Sequence, residues 1–314
     1  MGKPVAVMGL GSMGYGIASS LLRSGFDVVG YDIAQATLER FAADGGRIAM
    51  SPAEASTGVD VVLSVVVNAA QTEAVLYGHN GCAEAMPPGA VFVSSATMAP
   101  DVTRDLARRL EPTGRLYLDA PISGGAQRAA EGELTVLVSG SPTALERARP
   151  VLNAMAATVY ELGDTPGLGA AFKMVNQLLA GVHIAAACEA VAFAAKLGLD
   201  LPRVYEVITA SAGNSWMFEN RVPHVLEGDY RPRSAVEIFT KDLGIVLDMA
   251  RTEKFPVPMA GAALQLFLMT ASAGMGRDDD ASVARLFARI ADVALPDGPS
   301  SPGNSSSSGS AGSG

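Results

Sequence analysis

A lysine followed by two amides marks the stretch of this chain most suited to chemistry. In Gly167-Leu168-Gly169-Ala170-Ala171-Phe172-Lys173-Met174-Val175-Asn176-Gln177, residues Lys173, Asn176 and Gln177 stand at i, i+3 and i+4. On a helix they share one face. A lysine among apolar neighbours loses the solvation of its charge, so its pKa falls and it suits proton transfer near neutral pH. A lone lysine with its stem on apolar surface and its head in water would read the same way. A second stretch, Asp119-Ala120-Pro121-Ile122-Ser123-Gly124-Gly125, offers a hydroxyl beside two glycines. Ser123 and the N–H groups of Gly124 and Gly125 could hold a carboxylate in a backbone nest. An ordinary strand-to-helix turn is equally open on physics alone.

A third stretch, Gly9-Leu10-Gly11-Ser12-Met13-Gly14, has GxGxxG spacing, a weak signal alone in a chain with 34 glycines. Its setting strengthens it. An apolar run precedes it, a helical run follows, and Asp32 ends the next apolar run. Gly9 permits a tight turn, Gly11 lets the backbone approach a pyrophosphate, and Gly14 lets the helix pack near the strand. The N–H groups and dipole at the helix start favour phosphate charge. Asp32 could accept from both ribose hydroxyls and would repel a 2′-phosphate, and neither Ile33 nor Ala34 supplies a cation to offset that. NAD is therefore expected over NADP. A turn-forming Asp ahead of a helix is the plainer reading of Asp32.

These groups need elements to hold them. PVAVMG, DVVGYD, VDVVLSVVV, GAVFVSSA and RLYLDAP are short apolar runs, as expected of strands buried on both faces. ELTVLVSG and ATVYELG read as two more. Helical patterns lie between them, among them QATLERFAADG and PDVTRDLARRL. The alternation predicts an α/β fold: a Rossmann domain over 1–163 with a doubly wound, mostly parallel sheet. The Asp119–Gly125 stretch would lie at the carboxyl edge of that sheet, where ligands bind. From Ala170 to Gly198 one long Ala- and Leu-rich helix is predicted, connecting to an all-α domain over 164–296. Its later helical patterns are PRVYEVITASAG, SAVEIFTKDLGIVLDMARTEK, PMAGAALQLFLMTASAG and Ser282 to Val293. The Ser- and Gly-rich stretch 297–314 reads as a flexible tail or added linker.

Composition narrows the function. With 314 residues, 49% of them hydrophobic and only 6% aromatic, the chain suits a close-packed α/β protein. A net charge of −9 and the lack of any Lys/Arg cluster argue against nucleic-acid binding. Cys82 and Cys188 sit in no CxxC or Cys/His cluster, so neither a metal site nor a disulfide is suggested. Both are expected to be reduced, buried small hydrophobes. The N-terminal apolar run is broken by glycines and offers no signal-peptide cleavage site. Leu178 to Ala195 carries His183 and Glu189 and reads as a core helix rather than a membrane span. A cytoplasmic location is the default expectation.

The glycine fingerprint, DAPISGG, GLGxxxKxxNQ and the later Lys241-Asp242-Leu243 occur in the order and spacing of the β-hydroxyacid dehydrogenase family. The chain resembles that family, which includes 3-hydroxyisobutyrate dehydrogenase and tartronate semialdehyde reductase, over about residues 3–293. The resemblance implies that Lys173 is the catalytic lysine and that Ser123, Gly124 and Gly125 form the substrate-carboxylate loop. It implies that Gln177 is the polar group one turn on, with Asn176 beside it. It places Lys241 near the nicotinamide, and Val66, Val67, Gln71 and Thr97 on loops lining the dinucleotide. VVVNAAQ departs from the pattern, since many members have a proline there. Asn214, Ser215 and Trp216 fall in the region that lines the substrate pocket in the family. Polar Asn214 and Ser215 would suit a polyhydroxylated substrate. An arbitrary tryptophan is more often core. The run NSWMFENRVPHVLEGDY is most similar to the branch that oxidises four-carbon sugar acids such as L-threonate. 3-Hydroxyisobutyrate and tartronate semialdehyde remain alternative substrates. A non-catalytic dinucleotide-binding interaction protein remains an alternative of another class. Family members are usually homodimers or homotetramers.

Overall fold

Pro4–Met8 forms strand β1, whose burial shows why a continuous apolar run is needed. Val5 and Val7 enter one core and Ala6 and Met8 another, on opposite faces of the same strand. The computed structural model describes residues 2–296, so the predicted tail at 297–314 lies outside the described residues. Asp27–Tyr31 (β2), Val61–Ser64 (β4), Val91–Ser94 (β5) and Leu116–Asp119 (β6) repeat the pattern of β1. Arg47–Ile48 (β3) is a two-residue strand beyond β2 that the sequence did not reveal, too short for periodicity to register.

The strand order is β3-β2-β1-β4-β5-β6, all parallel, followed by Leu134–Gly140 (β8) and Ile122–Ser123 (β7). β8 runs antiparallel to both β6 and β7, and Ala156–Glu161 (β9) pairs parallel with β8. The order turns outward in both directions from between β1 and β4, leaving a crevice at their carboxyl ends. Helices Ser12–Arg23 (α1), Gln35–Ala43 (α2), Pro52–Ser56 (α3), Ala69–Tyr77 (α4) and Pro100–Leu110 (α5) make the crossovers between these strands. Gly125–Glu131 (α6) and Pro142–Met155 (α7) complete the two helical layers. The DAPISGG stretch does not run straight from strand to helix, because β7 intervenes.

Leu168–Lys196 (α8) is a single helix of 29 residues, about 44 Å long at 1.5 Å per residue. It is apolar and long enough to span a membrane, yet half of its most apolar window is buried within the fold. Leu201–Thr209 (α9), Trp216–Glu227 (α10), Val236–Thr252 (α11), Pro258–Thr270 (α12) and Val283–Ala291 (α13) follow. A third core forms where α8 meets α10, α11, α12 and α13, around Ile184, Phe218, Leu243 and Phe267. α10 was not evident as a helix in the sequence, because Pro223 sits inside it and masks the pattern. Both cysteines are free and buried, and burial pushes the Cys82 thiol up to about 12.

Candidate active site

The dinucleotide end of the site is the turn from β1 to α1. Gly9 has φ +89°, and a Cβ at Gly14 would lie 1.9 Å from the Gly9 carbonyl oxygen, so both positions require glycine. A Cβ at Gly11 would meet nothing within 4 Å, so the space in front of the turn is open. The start of α1, exposed at Gly11 and Ser12, has no side-chain cap and no acidic residue in its first turn. Its first amides therefore remain for an anion. Asp32 accepts from Leu10 N at 2.7 Å through Oδ2 and from Ala34 N at 2.8 Å through Oδ1. The carboxylate thus fixes the glycine turn, and each oxygen keeps a lone pair for a ribose hydroxyl. These residues fit a dinucleotide.

Val66 and Val67 follow β4 at the carboxyl edge, and Val67 is exposed. Gln71 is exposed at the start of α4. Its Oε1 accepts from Val67 N at 2.8 Å, while its own N–H donates to Asn68 Oδ1 at 2.9 Å. Asn68 thus caps α4. Thr97 follows β5, and its carbonyl accepts from Lys241 Nζ at 3.2 Å. Lys241 stands on α11, so this bond ties the helical part to the sheet edge.

Lys173 is buried on α8, and its Nζ donates to the Ile122 carbonyl at 2.8 Å. Burial pushes its pKa down to about 8; the Asp242 carboxylate opposes that shift and the Lys241 charge adds to it. Asp242 is the hub of the surrounding network. It accepts from Lys241 Nζ and from Gln177 Nε2, while Asn176 Nδ2 donates to Gln177 Oε1 at 3.0 Å. The shared face divides: Lys173 and Gln177 are buried, whereas Asn176 is exposed. Beside them lies a cavity of about 340 Å³ between α8, α10 and the β7–α6 segment. Ser123, Gly124, Asn176, His183 and Trp216 line it, with Arg128 and Thr135 on the sheet side. Ile122, which anchors the lysine, is the chain neighbour of Ser123. Leu179, Ala180 and Met217 complete the lining, so a buried amine is linked through Ile122 to a cavity of mixed polar and apolar character.

Residues 4–163 match the NAD binding domain of 6-phosphogluconate dehydrogenase. Residues 167–287 match the NAD-binding domain of NADP-dependent 3-hydroxyisobutyrate dehydrogenase. An L-threonate dehydrogenase of Cupriavidus necator is 55% identical over 92% of this chain and 98% of its own length. The chain belongs to the 3-hydroxyisobutyrate dehydrogenase family. It is an NAD-dependent hydroxyacid oxidoreductase. A solved 3-hydroxyisobutyrate dehydrogenase from Salmonella typhimurium is 47% identical, with a TM-score of 0.87 covering 90% of this chain and 99% of that one. An L-threonate dehydrogenase of Haemophilus influenzae is 47% identical over 91% of this chain and 95% of its own.

Within this member of the 3-hydroxyisobutyrate dehydrogenase family, three expected pocket residues are placed elsewhere. Ser215 is the N-cap of α10, its Oγ accepting from Phe218 N at 3.0 Å. Asn214 donates to Thr209 O at 3.1 Å and to Glu219 Oε1, so its amide stitches the α9–α10 turn together. Both are residue types that a helix start recruits. Gly125 has φ +81°, starts α6 and is exposed outside the cavity lining. Only Trp216 of the Asn214–Trp216 run faces the cavity. The sequence reading missed Asp242, Arg128, Thr135 and His183. A carboxylate in the apolar pattern of α11 was a usable signal for Asp242; the other three have no local signature.

Proposed function

We propose that this protein oxidises L-threonate to 2-dehydro-L-erythronate, with Lys173 as the acid/base. The observation that carries the reading is a buried amine, lowered to about 8, hydrogen-bonded to the residue next to Ser123, which lines a cavity with several polar side chains. The relatives named above as L-threonate dehydrogenases support the substrate. The lining favours it too. Ser123, Thr135, Asn176 and His183 offer partners for several hydroxyls, which a methyl-bearing acid such as 3-hydroxyisobutyrate would leave unmatched.

When bound, the nicotinamide of NAD supplies the exchange of hydride with the carbinol carbon. Gly9 to Gly14 would hold the pyrophosphate, Asp32 the ribose, and Thr97 and Lys241 the neighbourhood of the nicotinamide. Ser123 and the Gly124 amide hold the substrate carboxylate, and Trp216 closes the far side. Neutral Lys173 takes the hydroxyl proton during oxidation, and its ammonium returns that proton in the reverse direction. Gln177 and Asp242 hold the amine's surroundings through their mutual bond.

The division at 163/164 into a dinucleotide lobe and a helical lobe belongs to this reading, as does a cytoplasmic location. So does a homodimer or homotetramer, since Leu168, Phe172, Val175 and Leu179 leave an apolar stripe exposed along one side of α8. The deciding experiment is NADH formation at alkaline pH with L-threonate, glycerate and 3-hydroxyisobutyrate, each with NAD and NADP, repeated on Lys173→Ala. Turnover of L-threonate with NAD, lost by several orders of magnitude in the variant with NAD binding retained, is expected. Full turnover in the variant would refute the role of Lys173. Turnover of 3-hydroxyisobutyrate alone would refute the substrate.

A further inference from the structure

The start of α8 is held by two buried side chains that line neither the cavity nor the glycine turn. Asp119 is the last residue of β6, and its Oδ2 accepts three hydrogen bonds. They come from Gly167 N at 3.0 Å, Ala170 N at 2.8 Å and Ser139 Oγ at 3.0 Å. Ser139, on β8, accepts in turn from Gly169 N at 2.9 Å. Three backbone amides that a helix start leaves without intrahelical partners are thus taken by one carboxylate and one hydroxyl of the sheet. The fit is close. A Cβ at Gly169 would lie 2.3 Å from the Leu137 carbonyl oxygen and 3.1 Å from Asp119 Oδ2, and Gly167 has φ +104°. Lys173 follows Ala170 by less than one helical turn.

The other end of the same segment matters equally. Three residues after Asp119 comes Ile122, whose carbonyl accepts from Lys173 Nζ, and then Ser123 at the cavity. Asp119 therefore stands at the junction of two parts: the helix that carries the amine and the loop that meets the substrate. We infer that Asp119, braced by Ser139, is a positioning residue that fixes the separation between the Lys173 amine and the Ser123–Gly124 loop. It acts through Lys173, so the inference rests on Lys173 being the acid/base. Preorganisation of this kind has a large effect on rate, because a shift of about 1 Å can lower turnover on the order of 100-fold.

The geometry also says which substitution is mild. All three bonds converge on one oxygen, and burial pushes the carboxyl up to about 6 against those three donors. A neutral carbonyl oxygen in the same place can accept the same bonds. Asp119→Asn is thus a conservative variant, Asp119→Ala removes the acceptor, and Ser139→Ala removes the brace while leaving the carboxylate.

The test measures kcat and KM for these three variants, each made also on a Lys173→Ala background, with whichever hydroxy acid the wild-type enzyme oxidises. Asp119→Ala is expected to lower kcat on the order of 100-fold with both KM values within about threefold. Ser139→Ala should lower it on the order of 10-fold, and Asp119→Asn by less than about fivefold. On the Lys173→Ala background none should cost more than about twofold, because the group they position is gone. Hydrogen exchange of the cofactor-free protein adds a readout that needs no turnover: faster exchange at residues 167–173 in Ser139→Ala, with the rest of α8 unchanged. If Asp119→Ala does not fold, Ser139→Ala and Asp119→Asn carry the comparison. Equal losses on both backgrounds, or wild-type kcat and exchange in Ser139→Ala, would overturn the inference. A wild-type enzyme inert toward L-threonate but active on another acid would overturn the substrate reading and leave this test intact.

Discussion

In the proposed mechanism, burial is what turns Lys173, a common residue type, into an acid/base. Its amine is out of water and held by one carbonyl, with Asp242 and Lys241 pulling its protonation in opposite directions. Oxidation requires the neutral amine, so its rate should climb with pH, level off above about 8, and fall tenfold per unit below that. Reduction should instead decline above about 8. Asp242→Asn removes the charge that favours the ammonium, so the oxidation limb should move to lower pH, as pH profiles of kcat/KM will reveal. The same shift acts on stability. Between about 8 and the unfolded value of 10.5, the unfolded chain holds the lysine proton that the folded chain has lost. Resistance to urea contributed by this group should therefore increase with pH across that window. At the cofactor end, Asp32→Ala should narrow the preference for NAD over NADP, on the order of 10-fold in the ratio of kcat/KM, because its charge opposes a 2′-phosphate. Unchanged selectivity would mean that Asp32 serves only the glycine turn.

Elements decide which polar residues are available to a substrate. Asn214 and Ser215 looked like pocket groups, yet α10 needs them at its start. Ser215→Ala should therefore cost about 1 kcal/mol of stability, seen as a lower thermal midpoint, with the KM for L-threonate within about twofold of wild type. Trp216→Ala, one residue on, should raise that KM about tenfold, because the cavity wall is removed. Most elements were legible in the sequence. Strands buried on both faces and a long apolar helix carry strong local patterns, and α8 begins within two residues of its expected position. β3, β7 and α10 were not legible, and α3, α4 and α7 were not placed individually. β3 and β7 are only two residues long, and α10 contains a proline.

At the scale of the whole molecule, the site is a meeting of lobes. α8 brings Lys173 to the sheet, α11 brings Lys241 and Asp242, and the Lys241–Thr97 and Gln177–Asp242 bonds join them. His183 lies nearly three turns beyond Lys173 along the same helix and lines the cavity. His183→Ala should raise the KM for L-threonate several-fold while leaving that for glycerate, which lacks the distal carbon, nearly unchanged. Sedimentation of Val175→Glu tests the assembly: a charge in the exposed stripe of α8 should shift the protein toward monomer. The sequence by itself determined the glycine turn after β1, the long helix that carries Lys173 and the two-part architecture, because each is written in neighbouring residues whose spacing is fixed by one strand or one helix. Only the tertiary structure brought Asp242, Arg128 and His183 to the candidate site, set Asp119 under the start of α8, and gave Asn214 and Ser215 their partners around the start of α10. All but the last depend on contacts between residues tens of positions apart, where no local periodicity records which side chain meets which.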